Sequence, residues 1–233
     1  MLVAIDTSTD IAALALAQDG KVLAEISWRC GRNHSVELLP RLTRLLDEAK
    51  LSLRDTSCVI VAKGPGSFNG LRVGLSTAKG LAFSLSVPII GIGSLESEAY
   101  PHAESGLPIC PIFNAGRGEI AVALYQKTNS GWRTLTSEHI TTVEALANEI
   151  TEKTLFCGEY VATIARQLKE KLKEKAAIAP GKMRSAVSLI ELAKPRIDAG
   201  DYDDPATLQP LYLRRPNITR PKRRQKYTNG DSK

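Results

Sequence analysis

Between Lys63 and Leu85 the chain reads KGPGSFNGLRVGLSTAKGLAFSL, the stretch that most limits what it can fold into. It begins where a short β-branched run, Cys58 to Ala62, reads as a buried strand. Gly64, Pro65 and Gly66 break that strand, and a helical pattern starts at about Asn69. Along the helix Gly70, Gly74, Ala78 and Ala82 recur at every fourth residue, which leaves one face almost without side chains. An interior glycine costs a helix about 1 kcal/mol relative to alanine. A helix carrying both Gly74 and Gly80 must recover that by packing, because small residues at i, i+4 let another backbone approach closely. Either the chain's own sheet or a partner protein supplies that backbone.

The same stretch fails as a nucleotide loop. The Walker pattern needs Lys then Ser or Thr after its second glycine, but Gly70 is followed by Leu71 and Arg72. The dinucleotide pattern GxGxxG, counted from Gly64 and Gly66, puts Asn69 where its third glycine belongs. A bare glycine-rich strand-to-helix turn can still hold an anion on exposed N–H groups.

At 233 residues the chain can bury one large core or two small ones. The four cysteines (Cys30, Cys58, Cys110 and Cys157) are scattered, without a CxxC pair. That spacing predicts reduced thiols in a cytoplasmic protein rather than a disulfide framework or a zinc ribbon. No signal peptide and no membrane-spanning run is expected. The net charge of +6 is unevenly placed: residues 214–233 hold eight Lys/Arg and one Asp, a net +7, which leaves residues 1–213 at −1.

Taken in order, Leu2 to Asp6, Ile11 to Ala17 and Lys21 to Trp28 read as three antiparallel strands joined by tight turns, with Asp19-Gly20 as a hairpin signal. Asn33 or Ser35 caps a helix whose Leu38, Leu39, Leu42, Leu45, Leu46 and Ala49 form a broad apolar face, and Pro40 bends it. The strand from Cys58, the glycine-seamed helix and an extended Val87 to Ile92 follow. The second half repeats the order: strands at Cys110 to Ala115, Glu119 to Gln126 and Gly131 to Leu135; a helix capped by Thr141 and Glu144; a strand at Thr154 to Gly158; a charged helix from Tyr160 to Lys175. Two βββαβα units predict two similar mixed-sheet lobes, residues 1–100 and 101–213, with the boundary between Gly93 and Leu107. Arg184 to Ala199 reads as a further helix interrupted at Pro195, and Gln209 to Leu213 as a last extended segment. Residues 214–233 read as a basic, disordered tail, either a solubilising one or an added contact to RNA phosphates.

Lobes of this topology bind nucleotide in the cleft between them in sugar kinases, actin and the 70-kilodalton chaperones. Asp6, Thr7, Ser8 and Thr9 stand where that superfamily wraps phosphate and reaches the metal; the plainer alternative is that Asp6 satisfies turn N–H groups. The equivalent turn of the second lobe, Phe113 to Gly118, presents Asn114, which neither accepts a proton nor binds a cation strongly. His34, His102 and His139 are too far apart in sequence for a metal motif, and Ser67 lacks the spacing of a nucleophile elbow. Glu96 and Glu98 are read on a solvated face, and His102 in a solvated connecting loop. No catalytic or metal-ligating set is expected.

AIDTST (Ala4 to Thr9), KGPGSFNGLRVGLSTAKGLA (Lys63 to Ala82) and the closing PLYLR (Pro210 to Arg214) resemble the TsaB (YeaZ) family. The resemblance spans roughly residues 1–214. It departs from the usual pattern at Asn69, where Thr is common, and at Phe113 to Glu119, where an Asp-Ala-Arg core is usual. It implies a two-lobed, actin-like ATPase (ribonuclease H-like) fold that has lost its own catalysis. It also implies pairing with the catalytic paralogue TsaD, whose HxxxH motif is reduced here to His102 alone. The ATPase subunit TsaE joins that pair, and the complex modifies the tRNA adenosine next to the anticodon. The implied pairing surface is the two helices of the first lobe: Leu38, Leu39, Leu42, Leu45, Leu46, Gly70, Arg72, Gly74, Ala78 and Ala82. A homodimer is possible when the chain is alone. No cofactor is expected on the isolated chain, with ATP or ADP possible in the assembled complex. The competing readings are an autonomous ATP-dependent phosphotransferase and, less well supported by the residues, a peptidase.

Overall fold

A computed structural model describes residues 1–214; the expectations for residues 215–233 lie outside the described residues. The first half builds β1 (Leu2–Asp6), β2 (Ile11–Gln18), β3 (Lys21–Arg29), α1 (His34–Ala49), β4 (Cys58–Gly64), α2 (Phe68–Leu85), β5 (Ile89–Gly93) and α3 (Ser94–Ala99). The second half builds β6 (Ile109–Gly116), β7 (Glu119–Thr128), β8 (Gly131–Thr141), α4 (Val143–Glu149), β9 (Thr154–Cys157), α5 (Val161–Leu172), β10 (Ala176–Ile178) and α6 (Val187–Asp198). The sheets run β3-β2-β1-β4-β5 and β10-β9-β6-β7-β8, so the second repeats the first strand for strand. In each, the first three strands are antiparallel neighbours and the fourth lies parallel to the first. This is the pair of similar mixed-sheet lobes that the repeated βββαβα order predicts.

Strand β2 shows how the sequence sorts its two faces. Ala12, Leu14 and Leu16 face α1 and α2, in a core with Val3, Ile5, Leu38, Leu42, Leu45, Leu46, Ala78 and Ala82. Ala13, Ala15 and Ala17 point the other way, toward Leu189, Ile190 and Ala193 of α6. Successive side chains on a strand alternate faces, so leucines fill the thick layer and alanines let α6 lie close.

The helices that end each half are exchanged. Helix α6 packs on the first sheet, while Leu95 and Ala99 of α3 pack on the second, against Ile109, Phe113, Ala123 and Tyr125. The two exchanged helices also touch each other. After α6 the chain returns along the first sheet, where the Asp203 N–H donates to the Ile89 carbonyl at 2.9 Å. The Leu211 N–H then donates to the Lys63 carbonyl at 2.7 Å. Arg214 pairs with Glu119 of the second lobe, so this residue, grouped with the tail from sequence, is bound to the folded body.

Several element boundaries differ from the sequence reading. Helix α6 starts at Val187 rather than Arg184 and runs through Pro195. Pro195 is exposed, where the carbonyl it displaces can meet water. Thr142, not Thr141, caps α4, its hydroxyl accepting from the Ala145 N–H at 3.2 Å. His102, read in a connecting loop, lies in a 3-10 turn, Tyr100–Ser105, that directly follows α3. Among the described residues no helix is long and apolar enough to cross a membrane. All four cysteines are buried free thiols, and burial pushes the Cys58 thiol up to about 11, away from nucleophilic character.

Candidate functional site

Asp6 ends β1 and is fully buried, as are Thr7 and Ser8 of the turn behind it. One carboxylate oxygen, Oδ1, accepts from the Ser8 N–H at 2.9 Å and from the Ser8 hydroxyl at 2.7 Å. The turn is then clasped by the helix that carries the glycine seam. The Thr7 hydroxyl donates to the Gly70 carbonyl at 2.8 Å, and the Ser67 N–H donates to the Ser8 carbonyl at 2.7 Å. A Cβ on Gly66 would run into the Ser8 carbonyl, one on Gly70 into the Thr7 carbonyl, and one on Gly74 into the Thr7 hydroxyl. The glycines are there because the β1–β2 turn lies where side chains would otherwise be. His34 completes the clasp: its Nε2 donates to the Thr9 carbonyl at 2.9 Å, which fixes the proton on that nitrogen.

The other carboxylate oxygen of Asp6 accepts from Nε of Arg184 at 2.5 Å. Arg184 lies in the connection between β10 and α6, its side chain only 5 % exposed. Its Nη1 donates to Glu98 Oε2 at 3.1 Å and its Nη2 to the Ser94 carbonyl at 3.0 Å. The guanidinium stands over the Phe113 ring, 4.9 Å from the centroid. Burial works against the guanidinium charge, but Asp6 and Glu98 outweigh it, so its pKa moves up. Burial raises the Glu98 carboxyl, with Arg184 pulling it back. Glu98 is therefore no surface residue, and Glu96, half-buried, accepts from Trp132 Nε1 at 3.1 Å. Reading both on a solvated face is corrected, because α3 crosses to the second sheet and takes them inward.

Across the cleft, Asn114 spends its Oδ1 on the Gly116 N–H at 2.8 Å, holding its own turn. The cleft between the turns has a volume of about 410 Å3, and its charged lining is Asp10, Glu159 and Arg29. A divalent cation at the end of β1 needs carboxylate oxygens free to ligate. Asp6 has both of its oxygens engaged and Asn114 has folded back, so these residues do not fit a metal ion with its phosphate. No cluster of three or more His, Cys, Asp or Glu that could hold a metal exists among the described residues.

The residues proposed from sequence as a partner surface divide sharply. Leu38, Leu42, Leu45, Leu46, Ala78 and Ala82 are buried in the first lobe's own core, and Gly70 and Gly74 are pressed on the Thr7 turn. None of them is open to a partner; the apolar periodicity marks the inward face. Leu39 and Arg72 do face outward. Sequence reasoning missed the outward apolar residues Val36 (68 % exposed) and Phe83 (86 %) on the same helices. It also missed Arg184, whose only sequence signal is an apolar strand ending on a buried carboxylate that requires a cation from somewhere in the chain.

Two sheets of the same strand order, joined by exchanged helices and closed over a cleft, define the class: an actin-like ATPase fold. Residues 24–218 match the family model described as TsaD, tRNA N6-adenosine threonylcarbamoyltransferase. The chain is 41% identical over 128 residues to the tRNA threonylcarbamoyladenosine biosynthesis protein TsaB of Bacillus subtilis (strain 168). That match spans 55% of this chain and 56% of the Bacillus protein, just over half its length. A TsaB of Buchnera aphidicola subsp. Schizaphis graminum is 29% identical over 204 residues, 84% of this chain and 97% of that protein. The solved structure of YeaZ from Pseudomonas aeruginosa superposes with a TM-score of 0.76 at 24% identity, over 91% of this chain and 99% of that one, which speaks for the fold. The chain belongs to the TsaB/YeaZ family of tRNA threonylcarbamoyladenosine biosynthesis proteins, which shares its domain with the threonylcarbamoyltransferase TsaD.

Proposed function

We propose that this chain is a non-catalytic subunit that pairs with a TsaD-type catalytic paralogue in threonylcarbamoyl transfer to the tRNA adenosine next to the anticodon. The observation that carries the reading is Asp6, the carboxylate at the end of β1, held at 2.5 Å by Arg184. The chain works in the cytoplasm. TsaE joins the pair, tRNA is met through the complex, and any ATP or ADP is bound by the assembly rather than by the isolated chain. The pairing surface is the outward side of α1 and α2, with Val36, Leu39, Arg72 and Phe83, and a homodimer through that side forms when the paralogue is absent.

Co-purification with the catalytic paralogue tests the reading. Leu39→Glu combined with Phe83→Glu should abolish pairing while leaving thermal stability nearly unchanged, since exposed substitutions cost at most about 0.5 kcal/mol. Leu42→Glu, which buries a carboxylate in the lobe's core, should instead unfold the lobe. Undiminished pairing by the outward double variant would reject this surface.

A further inference from the structure

We infer that Asp6 and Glu98 form a cation site whose resident cation is the chain's own Arg184, an internal counterion that holds the two lobes in one arrangement without any added ligand. The guanidinium reaches three elements at once: Asp6 at the end of β1, and Glu98 and the Ser94 carbonyl on α3, while its face covers Phe113 of β6. The first of these belongs to the first sheet, and α3 and β6 belong to the core of the second. A fixed positive group of the chain thus stands between two carboxylates at the junction of the lobes.

The backbone around Arg184 is anchored independently of its side chain. The Ser27 hydroxyl donates to the Arg184 carbonyl at 2.5 Å. Glu25 Oε1 accepts from the Ser185 hydroxyl at 2.6 Å and from the Ala186 N–H at 3.0 Å. Both partners lie on β3, so shortening Arg184 leaves the connection in place and opens a guanidinium-sized hole between two carboxylates. Asp6 is fully buried and Glu98 is 14 % exposed. A carboxylate in such surroundings without a partner is strongly unfavourable, and Glu159 adds negative charge near Arg184. The emptied site will therefore take up a small cation from solution, planar guanidinium first because the donors must point in three directions. The inference stands on this geometry and does not depend on pairing with a catalytic paralogue.

The test uses the full chain, Arg184→Ala, with methylguanidinium and Mn2+ as probes. The variant should melt about 10 °C below the wild type. Low-millimolar methylguanidinium should restore part of that loss, leave the wild type unchanged, and have no effect on Arg184→Ala combined with Asp6→Asn. Mn2+ should broaden the Ser8 amide resonance in Arg184→Ala and not in the wild type. If Arg184→Ala does not fold by itself, refolding in methylguanidinium should recover it. A rescue that is absent, or that persists without the Asp6 carboxylate, overturns the inference. Broadening of the Ser8 amide by Mn2+ in the wild type overturns it as well.

Discussion

The two strand-to-strand turns that face each other across the cleft come from the same position of a repeated unit, yet they are built in opposite ways. The turn after β1 is buried, clasped by Gly66 of the preceding loop and by α2 through Gly70 and Gly74, and its carboxylate is held by Arg184. The turn after β6 is open: Asn114 is exposed, and Gly116, Arg117 and Gly118 all take positive φ. The helix equivalent to α2 is α5, VATIARQLKEKL, which contains no glycine and presses no bare face on that turn. A duplicated fold preserves strand order easily. Close approach of helix to turn survives only where the sequence keeps its small residues.

The largest way to break this difference is to give α2 a side chain where the turn lies. Gly74→Leu should cost about 3 kcal/mol by overpacking, a fall in melting temperature of roughly 10 °C. Ala162→Leu on the exposed side of α5 should cost no more than about 0.5 kcal/mol. Equal effects in thermal unfolding would mean that the seam does not hold the turn. A smaller contrast compares single polar groups: Thr7→Val removes a buried donor to Gly70 and should cost about 1.5 kcal/mol, whereas Asn114→Ala, in an exposed turn, should cost about 0.5 kcal/mol. Chemical denaturation of both variants ranks them, and the reverse order would contradict the structure.

The smallest effect is one of pH and concerns α3, which joins the lobes. Burial raises the Glu96 carboxyl, and neighbouring Glu138 adds to this, while Trp132 and Lys63 pull it back. A carboxyl whose folded pKa lies above its unfolded value favours folding while protonated, and that contribution fades as pH rises through the folded pKa. Glu96→Gln should therefore match the wild type below the ordinary carboxylate range and gain stability over it as pH rises toward neutral. Melting curves across that range that stay parallel would show that Glu96 carries no such strain.

The repeat, the leucine helix and the glycine seam were all legible in the sequence because each is a local pattern with a period. The seam's meaning was open between a sheet and a partner; Ala78 and Ala82 lie on the chain's own sheet, while Gly70 and Gly74 meet the carbonyl and hydroxyl oxygens of Thr7 in the turn after β1. The same periodicity misdirected the partner surface, because an apolar stripe marks what a helix buries, and Leu42 and Leu46 are buried in their own lobe. Arg184 was not legible: its carboxylate partner Asp6 lies 178 positions away, and no local pattern links them. Glu96 and Glu98 sit among serines and read as surface until the exchange of α3 between lobes is known.

With its oxygens committed to Ser8 and Arg184, Asp6 is expected to leave the isolated chain without a nucleotide site. Calorimetric titration of the isolated chain with ATP and magnesium, followed by an assay for phosphate release, tests it most directly. No saturable heat and no turnover are expected, since the Asp6 oxygens are committed to Ser8 and Arg184. Tight, magnesium-dependent binding with turnover, lost in Asp6→Asn, would contradict it.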